Sequence, residues 1–148
     1  MLDDHFMELL RGGEPLLTLH KNLLLVEIPY TAPPYDLGEM AFSMITSGYQ
    51  PVLAHPERYF YYHTNFGEYE RLKELGFLLQ VNLLSLTGYY GKGAAKAARF
   101  ILEEGMAGLV GTDMHHGRHL EALGDVENIK LFNRYIKGKK MNDLEGFI

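Results

Sequence analysis

The chain has 148 residues, 47% of them hydrophobic, enough for one domain spanning residues 1–148 with a buried core. Its formal net charge of −5 disfavours nucleic acid as a partner, because phosphate backbones are bound by clustered lysine and arginine, and the only basic cluster is the short Lys137-Gly138-Lys139-Lys140. The absence of cysteine excludes disulfides, cysteine-type zinc sites and a cysteine nucleophile.

No apolar run approaches the ~20 residues of a membrane span, and Met1-Leu2-Asp3-Asp4 lacks the basic-then-apolar pattern of a signal peptide, so a cytoplasmic address is expected. Asp3 or Asp4 is placed to cap a short helix carrying Phe6, Leu9 and Leu10, which stops at Gly12-Gly13. Asn22 to Ile28 is a nearly unbroken apolar run, the pattern of a strand buried on both faces in a parallel sheet. Leu37, Met40, Ala41, Met44 and Ile45 then follow helical spacing, with Gly48 as the stop. A second strand is expected over Pro51 to His55, and a helix marked by Tyr69, Leu72 and Leu75 ends at Gly76. Phe77 to Leu84 reads as a third strand, Gly93 to Glu104 as an alanine-rich helix closed by Gly105, and Leu109 to Asp113 as a fourth strand. One longer helix is expected from about Leu120, with Ile129, Phe132 and Ile136 on one face.

Polar residues fall at or near the strand ends: Glu27, His55, Asn82 and Asp113, spaced 27–31 residues apart, one strand-loop-helix unit each time. In an alternating parallel β/α fold the carboxyl ends of the strands share one face, so these side chains are expected to converge. A full (β/α) barrel needs about eight units and roughly 250 residues. Four units therefore predict either an open doubly wound sheet or the C-terminal part of a barrel.

Glu27 sits in an apolar run, where a buried carboxylate must be paired, protonated or metal-bound; otherwise it lies just past the strand in solvent or pairs with a lysine. His55, in Val-Leu-Ala-His-Pro-Glu-Arg-Tyr, is either a satisfied structural histidine or a neutral imidazole ligand. Asp113 and His115, two residues apart in Gly-Thr-Asp-Met-His-His, point the same way if the strand runs through them, and carboxylate with imidazole suits zinc, iron or manganese. The alternative is that Asp113 or Thr112 caps the next helix and the histidines are exposed. Arg58 and Arg118, each three residues after a histidine, are phosphate-clamp candidates or ordinary surface residues. Gly88 to Gly93, Gly-Tyr-Tyr-Gly-Lys-Gly, matches no phosphate-loop pattern and reads as a flexible loop. Tyr59-Phe60-Tyr61-Tyr62 either lines a pocket for an aromatic ring or packs.

Five segments in order, LDDHFMELL, LLLVEIPY, PVLAHPERY, LLQVNLLSLTGYYG and GTDMHH, resemble the polymerase-and-histidinol-phosphatase (PHP) family of metal-dependent phosphoesterases, and within it the protein-tyrosine phosphatases of bacterial capsular and exopolysaccharide operons. The resemblance implies an α/β fold, a partial (β/α) barrel comprising about four parallel β/α units of a distorted TIM-like (β/α)7 barrel. It implies divalent metal ions, Mn2+ first and Fe or Zn next. Glu27, His55, Asp113 and His115 would be ligands, and Arg58, with Arg118 as a second arginine, would hold the phosphate. The implied partner is a phosphotyrosine protein, a bacterial tyrosine kinase of polysaccharide export.

The family's H-x-H strand, its further histidine and acidic ligand, and its bridging glutamate have no counterpart here. The chain is therefore expected to hold roughly half the ligands, as a C-terminal part of the barrel that is catalytically incomplete by itself. Alternative functions are hydrolysis of a small phosphate monoester or of a nucleic-acid phosphodiester, the latter disfavoured by charge, and a non-catalytic assembly module. Self-association through exposed sheet edges is expected.

Overall fold

The structure, a computed structural model, describes residues 1–143. Strands β1 (Leu23–Val26), β2 (Gln50–Ala54), β3 (Leu78–Asn82) and β4 (Ala107–Gly111) form one parallel sheet in the order β1-β2-β3-β4. Helices α1 (Asp4–Gly12), α2 (Leu37–Thr46), α3 (Gly67–Glu74), α4 (Lys92–Glu103), α5 (Gly117–Gly124) and α6 (Val126–Ile136) precede, link and follow the strands.

The two-residue periodicity of each strand sorts its side chains between unequal faces. Leu24 and Val26 of β1, Leu53 of β2, and Leu79 and Val81 of β3 join the main core. There they meet Met40, Ala41 and Met44 of α2, Tyr69 and Leu72 of α3, and Ala97, Ala98 and Ile101 of α4. The alternate residues Leu23, Val52 and Leu109 form only a small cluster, and Leu25 is 43% exposed. A doubly wound sheet would carry helices on both faces and reverse its strand order at a switch point. Sequential order with the main helical core on one face is instead the winding of a barrel, left open here at four strands.

Local chemistry explains the boundaries. Asp3 Oδ1 accepts from the Phe6 amide at 2.9 Å and caps α1, which buries Met7 and Leu10 while Leu9 stays exposed. Asp3→Ala is expected to destabilise the protein by about 1 kcal/mol, read from the denaturant midpoint. Gly76 turns α3 into β3 at φ 94, a left-handed conformation that favours glycine; a Cβ there would meet only the terminal methyl of the exposed Ile45 side chain, which can move aside.

Three expectations need correction. β3 stops at Asn82 and passes into a 3-10 turn, Leu83–Thr87, because the Asn82 amide donates to the Glu57 carboxylate rather than continuing the ladder. β4 ends at Gly111, so no strand runs through Asp113. The final helix is two helices broken at Asp125, whose side chain accepts from the Asn128 amide and caps α6; Phe132 is buried while Ile129 is exposed.

The sheet edges are partly occupied. Asn142 donates from its backbone to Gly108 O at 3.1 Å, and its side-chain amide exchanges bonds of 2.8 and 3.2 Å with Val110. At the other edge, the Leu19 amide donates to Leu23 O and the Leu23 amide to His20 O.

Candidate metal and phosphate site

The loops leaving the strand carboxyl ends bring Glu27, His55, Arg58, Asp113 and His115 to one cavity of about 420 Å3. Glu27 lies one residue beyond β1, its backbone carbonyl tied by the Leu2 amide at 2.7 Å. Its side chain is 43% exposed, so it is not the buried carboxylate that an apolar run suggests; it sits past the strand end and pairs with a histidine, not a lysine.

His55 follows β2 with φ 38, a left-handed conformation fixed in part by its amide bond to Gln80 O at 2.7 Å. Its ring is buried, with Nε2 3.0 Å from Glu27 Oε1 and Nδ1 3.5 Å from the Tyr30 hydroxyl. Burial first, and the Arg58 charge second, hold its pKa below the usual histidine value, outweighing Glu27. The imidazole is therefore neutral at pH 7, the form able to ligate a cation. In the neutral ring, Nε2–H donates to Glu27 and Nδ1 accepts from Tyr30, an assignment drawn from the neighbours.

Arg58 closes the turn Pro56–Arg58 and donates to Asp113 Oδ2, with both side chains about one-fifth exposed. Its guanidinium carbon lies 4.2 Å from the Tyr90 ring centre and 5.6 Å from that of Tyr30. Asp113 has φ 47, and that turn, rather than strand alternation, presents it beside His115: His115 Nδ1 is 3.3 Å from Asp113 Oδ1 and 2.8 Å from Asp113 O. Neither Asp113 nor Thr112 caps α5, whose N-cap is His116. Arg118 lies elsewhere, in a neighbouring depression with His116, Gly117 and Glu121.

The polar support behind the rim is not visible in the sequence. Glu57, between His55 and Arg58, is fully buried; its Oε1 accepts from the Asn82 amide at 3.0 Å and from Ser85 Oγ at 2.6 Å. Burial raises its pKa to about 7 against those two bonds, which favour the anion. Asn82 converges as its spacing predicts, but it points its backbone at Glu57, and its side-chain amide has no partner among the described residues. Glu57 carries no periodicity signal, and Tyr30 and Tyr90 stand out in the sequence only as parts of longer motifs. Tyr59 and Tyr62 pack in the core, Tyr59 donating no pocket wall but offering its hydroxyl oxygen to the Ile28 amide at 3.1 Å.

The donor chemistry fits divalent cations. Carboxylate oxygen and neutral imidazole nitrogen are ligands of the right kind, and two ligands on one ion stand roughly 3 Å apart, as Glu27 with His55 and Asp113 with His115 do at 3.0 and 3.3 Å. Among the described residues, however, no three such groups share a centre. The described residues supply pairs of ligands, not a closed set.

Fold and rim together define a parallel β/α protein with a carboxylate, imidazole and arginine site at its strand carboxyl ends. Residues 1–129 match the family described as "Capsular polysaccharide synthesis, CpsB/CapC", and the chain belongs to that family. It is 27% identical over 114 residues to the "Putative tyrosine-protein phosphatase CapC" of Staphylococcus aureus, covering 77% of this chain and 45% of that protein. Over 93 residues it is 29% identical to the "Tyrosine-protein phosphatase YwqE" of Bacillus subtilis (strain 168), covering 63% of this chain and 37% of the relative. The chain thus spans less than half the length of these curated relatives. A solved chain among the structures of YwqE from Bacillus subtilis and CpsB from Streptococcus pneumoniae, described as "unique metal-dependent tyrosine phosphatases", superposes with a TM-score of 0.73 over 92% of this chain and 54% of its own length, at 23% identity. That likeness establishes a shared fold.

Proposed function

We propose that this chain carries the C-terminal part of the active site of a metal-dependent protein-tyrosine phosphatase that regulates capsule or exopolysaccharide synthesis. The observation that carries the proposal is the convergence, on one cavity, of Glu27, His55, Arg58, Asp113 and His115 from three separate strand-end loops. The names of the relatives support the same reading. Glu27 and His55 would hold one divalent ion, and Asp113 and His115 would ligate others, with manganese first among the candidates. Bound ions of this kind supply a hydroxide nucleophile at neutral pH and neutralise phosphoryl oxygens.

The chain's own groups do the rest. Arg58 offers a planar fork of N–H donors to the phosphoryl oxygens, exchanging Asp113 for substrate. Neutral His55 would ligate through Nε2, the nitrogen that faces Glu27, with its proton moved to Nδ1 beside the Tyr30 hydroxyl, and the Tyr30 and Tyr90 rings wall the guanidinium. The substrate is then a phosphotyrosine protein, with a tyrosine kinase of polysaccharide export as the proposed physiological one. Self-association through the sheet edges is the weaker companion proposal, because Asn142 already meets β4.

The decisive experiment is manganese titration and phosphotyrosine hydrolysis, measured on this chain and on an N-terminally extended form as long as the curated relatives. Weak metal binding with little turnover by the short form, and tight binding with turnover by the long one, is the expected result. An extended form that neither binds manganese nor releases phosphate overturns the proposal.

A further inference from the structure

We infer that Tyr30 and Tyr89 form an aromatic wall that selects aryl over alkyl phosphate esters at this site, an inference that rests on the phosphatase reading. Both rings line the cavity that holds Arg58, yet they come from different loops, Tyr30 after β1 and Tyr89 before α4. Both are exposed, at 39% and 42%, where an apolar ring gains most by being covered.

Neither ring is a free surface tyrosine. Tyr30 is stacked on His55 with centroids 6.0 Å apart and packs against Tyr59 at 5.2 Å. Tyr89 meets Tyr90 edge-on at 5.1 Å and His119 at 5.2 Å. Each is thus anchored by other rings on one side and open on another, so little rotamer freedom is lost when a ligand ring arrives. Tyr30, and the Tyr90 ring against which Tyr89 packs, also contact the anion clamp, the Arg58 guanidinium carbon lying 5.6 and 4.2 Å from their ring centres. A phosphate held by Arg58 therefore carries its ester group into an aromatic surround. A phenyl ring there makes offset or edge-to-face contacts, while a methyl ester leaves Tyr30 and Tyr89 wet.

The test is calorimetric titration, with manganese present, of phenylphosphonate, methylphosphonate and inorganic phosphate into the N-terminally extended form in its wild-type, Tyr30→Leu, Tyr89→Leu and doubly substituted versions. The wild type is expected to favour the phenyl ligand over the methyl by about three- to tenfold, the range of aromatic pair contacts. Each single variant should lose part of that phenyl-to-methyl ratio, and the double variant nearly all of it, the ratio within each variant being independent of any change in phosphate affinity that follows from the contact of Tyr30 with Arg58. Proton spectra of phenylphosphonate should also show ring-current shifts with the wild type that shrink in the double variant. Phosphate binding without phenyl preference in the wild type, or full preference in the double variant, overturns the wall and leaves the phosphatase reading standing. Failure of all three ligands to bind overturns both.

Discussion

Arg58→Ala is expected to lower kcat/KM for phosphotyrosine hydrolysis by about 10²–10³-fold in a form of the protein that turns over, with no comparable loss of folding stability. The magnitude follows from removing one preorganised donor set aimed at developing negative charge in a site partly shielded from water. Arg58 meets those conditions: it is mostly buried, paired with Asp113 and held between two tyrosine rings. Arg58→Lys keeps the charge and loses the planar fork, so only part of the rate should return. The measurement is steady-state kinetics beside a thermal melt. A kcat/KM within threefold of wild type for Arg58→Ala would remove the residue from phosphate binding.

The second large effect is one of stability against pH, and it comes from Glu57. A carboxyl whose pKa rises from 4.5 in the unfolded chain to about 7 in the folded one keeps its proton longer in the folded state. Its favourable contribution is complete below pH 4.5, and stability then falls by about 1.4 kcal/mol per pH unit until pH 7, where the loss levels off. The full swing is about 3 kcal/mol. Glu57→Gln imitates the protonated acid: the amide oxygen still accepts from Asn82 and Ser85, and the new NH2 replaces Oε2, which has no partner among the described residues. Wild type and variant should therefore unfold at similar denaturant concentrations near pH 4, with the variant increasingly the more stable up to pH 8. Parallel curves across that range would show that Glu57 is ionised at neutral pH in the fold.

Glu57 also shows why half of the site escapes a reading of the sequence. Its neighbours His55 and Arg58 are marked by their position at a strand end, and spacing alone brings Glu27, His55 and Asp113 to one rim. Glu57 occupies a short polar turn, and nothing in Pro-Glu-Arg says that the middle side chain faces inward to hold Asn82 and Ser85. Arg118 is the converse case: its offset from His115 copies that of Arg58 from His55, but α5 begins at Gly117 and carries it to a different depression. Equal spacing in sequence gives equal placement only when the backbone after each histidine takes the same path.

By itself the sequence determined four parallel β/α units, a helix cap at Asp3 or Asp4, and the shared rim of carboxylate and imidazole groups. Apolar runs, helical periodicity and strand-end polarity are local properties, and local properties survive without knowledge of what packs against them. Only the tertiary structure decided that the main helical core lies on one face of the sheet, that Glu27 is half exposed and paired with His55, and that Arg58 is held between Tyr90 and Tyr30. The pairs at the rim are 28 to 32 positions apart, brought together by how strands twist and loops fold over their ends, and no short window of the chain contains both partners.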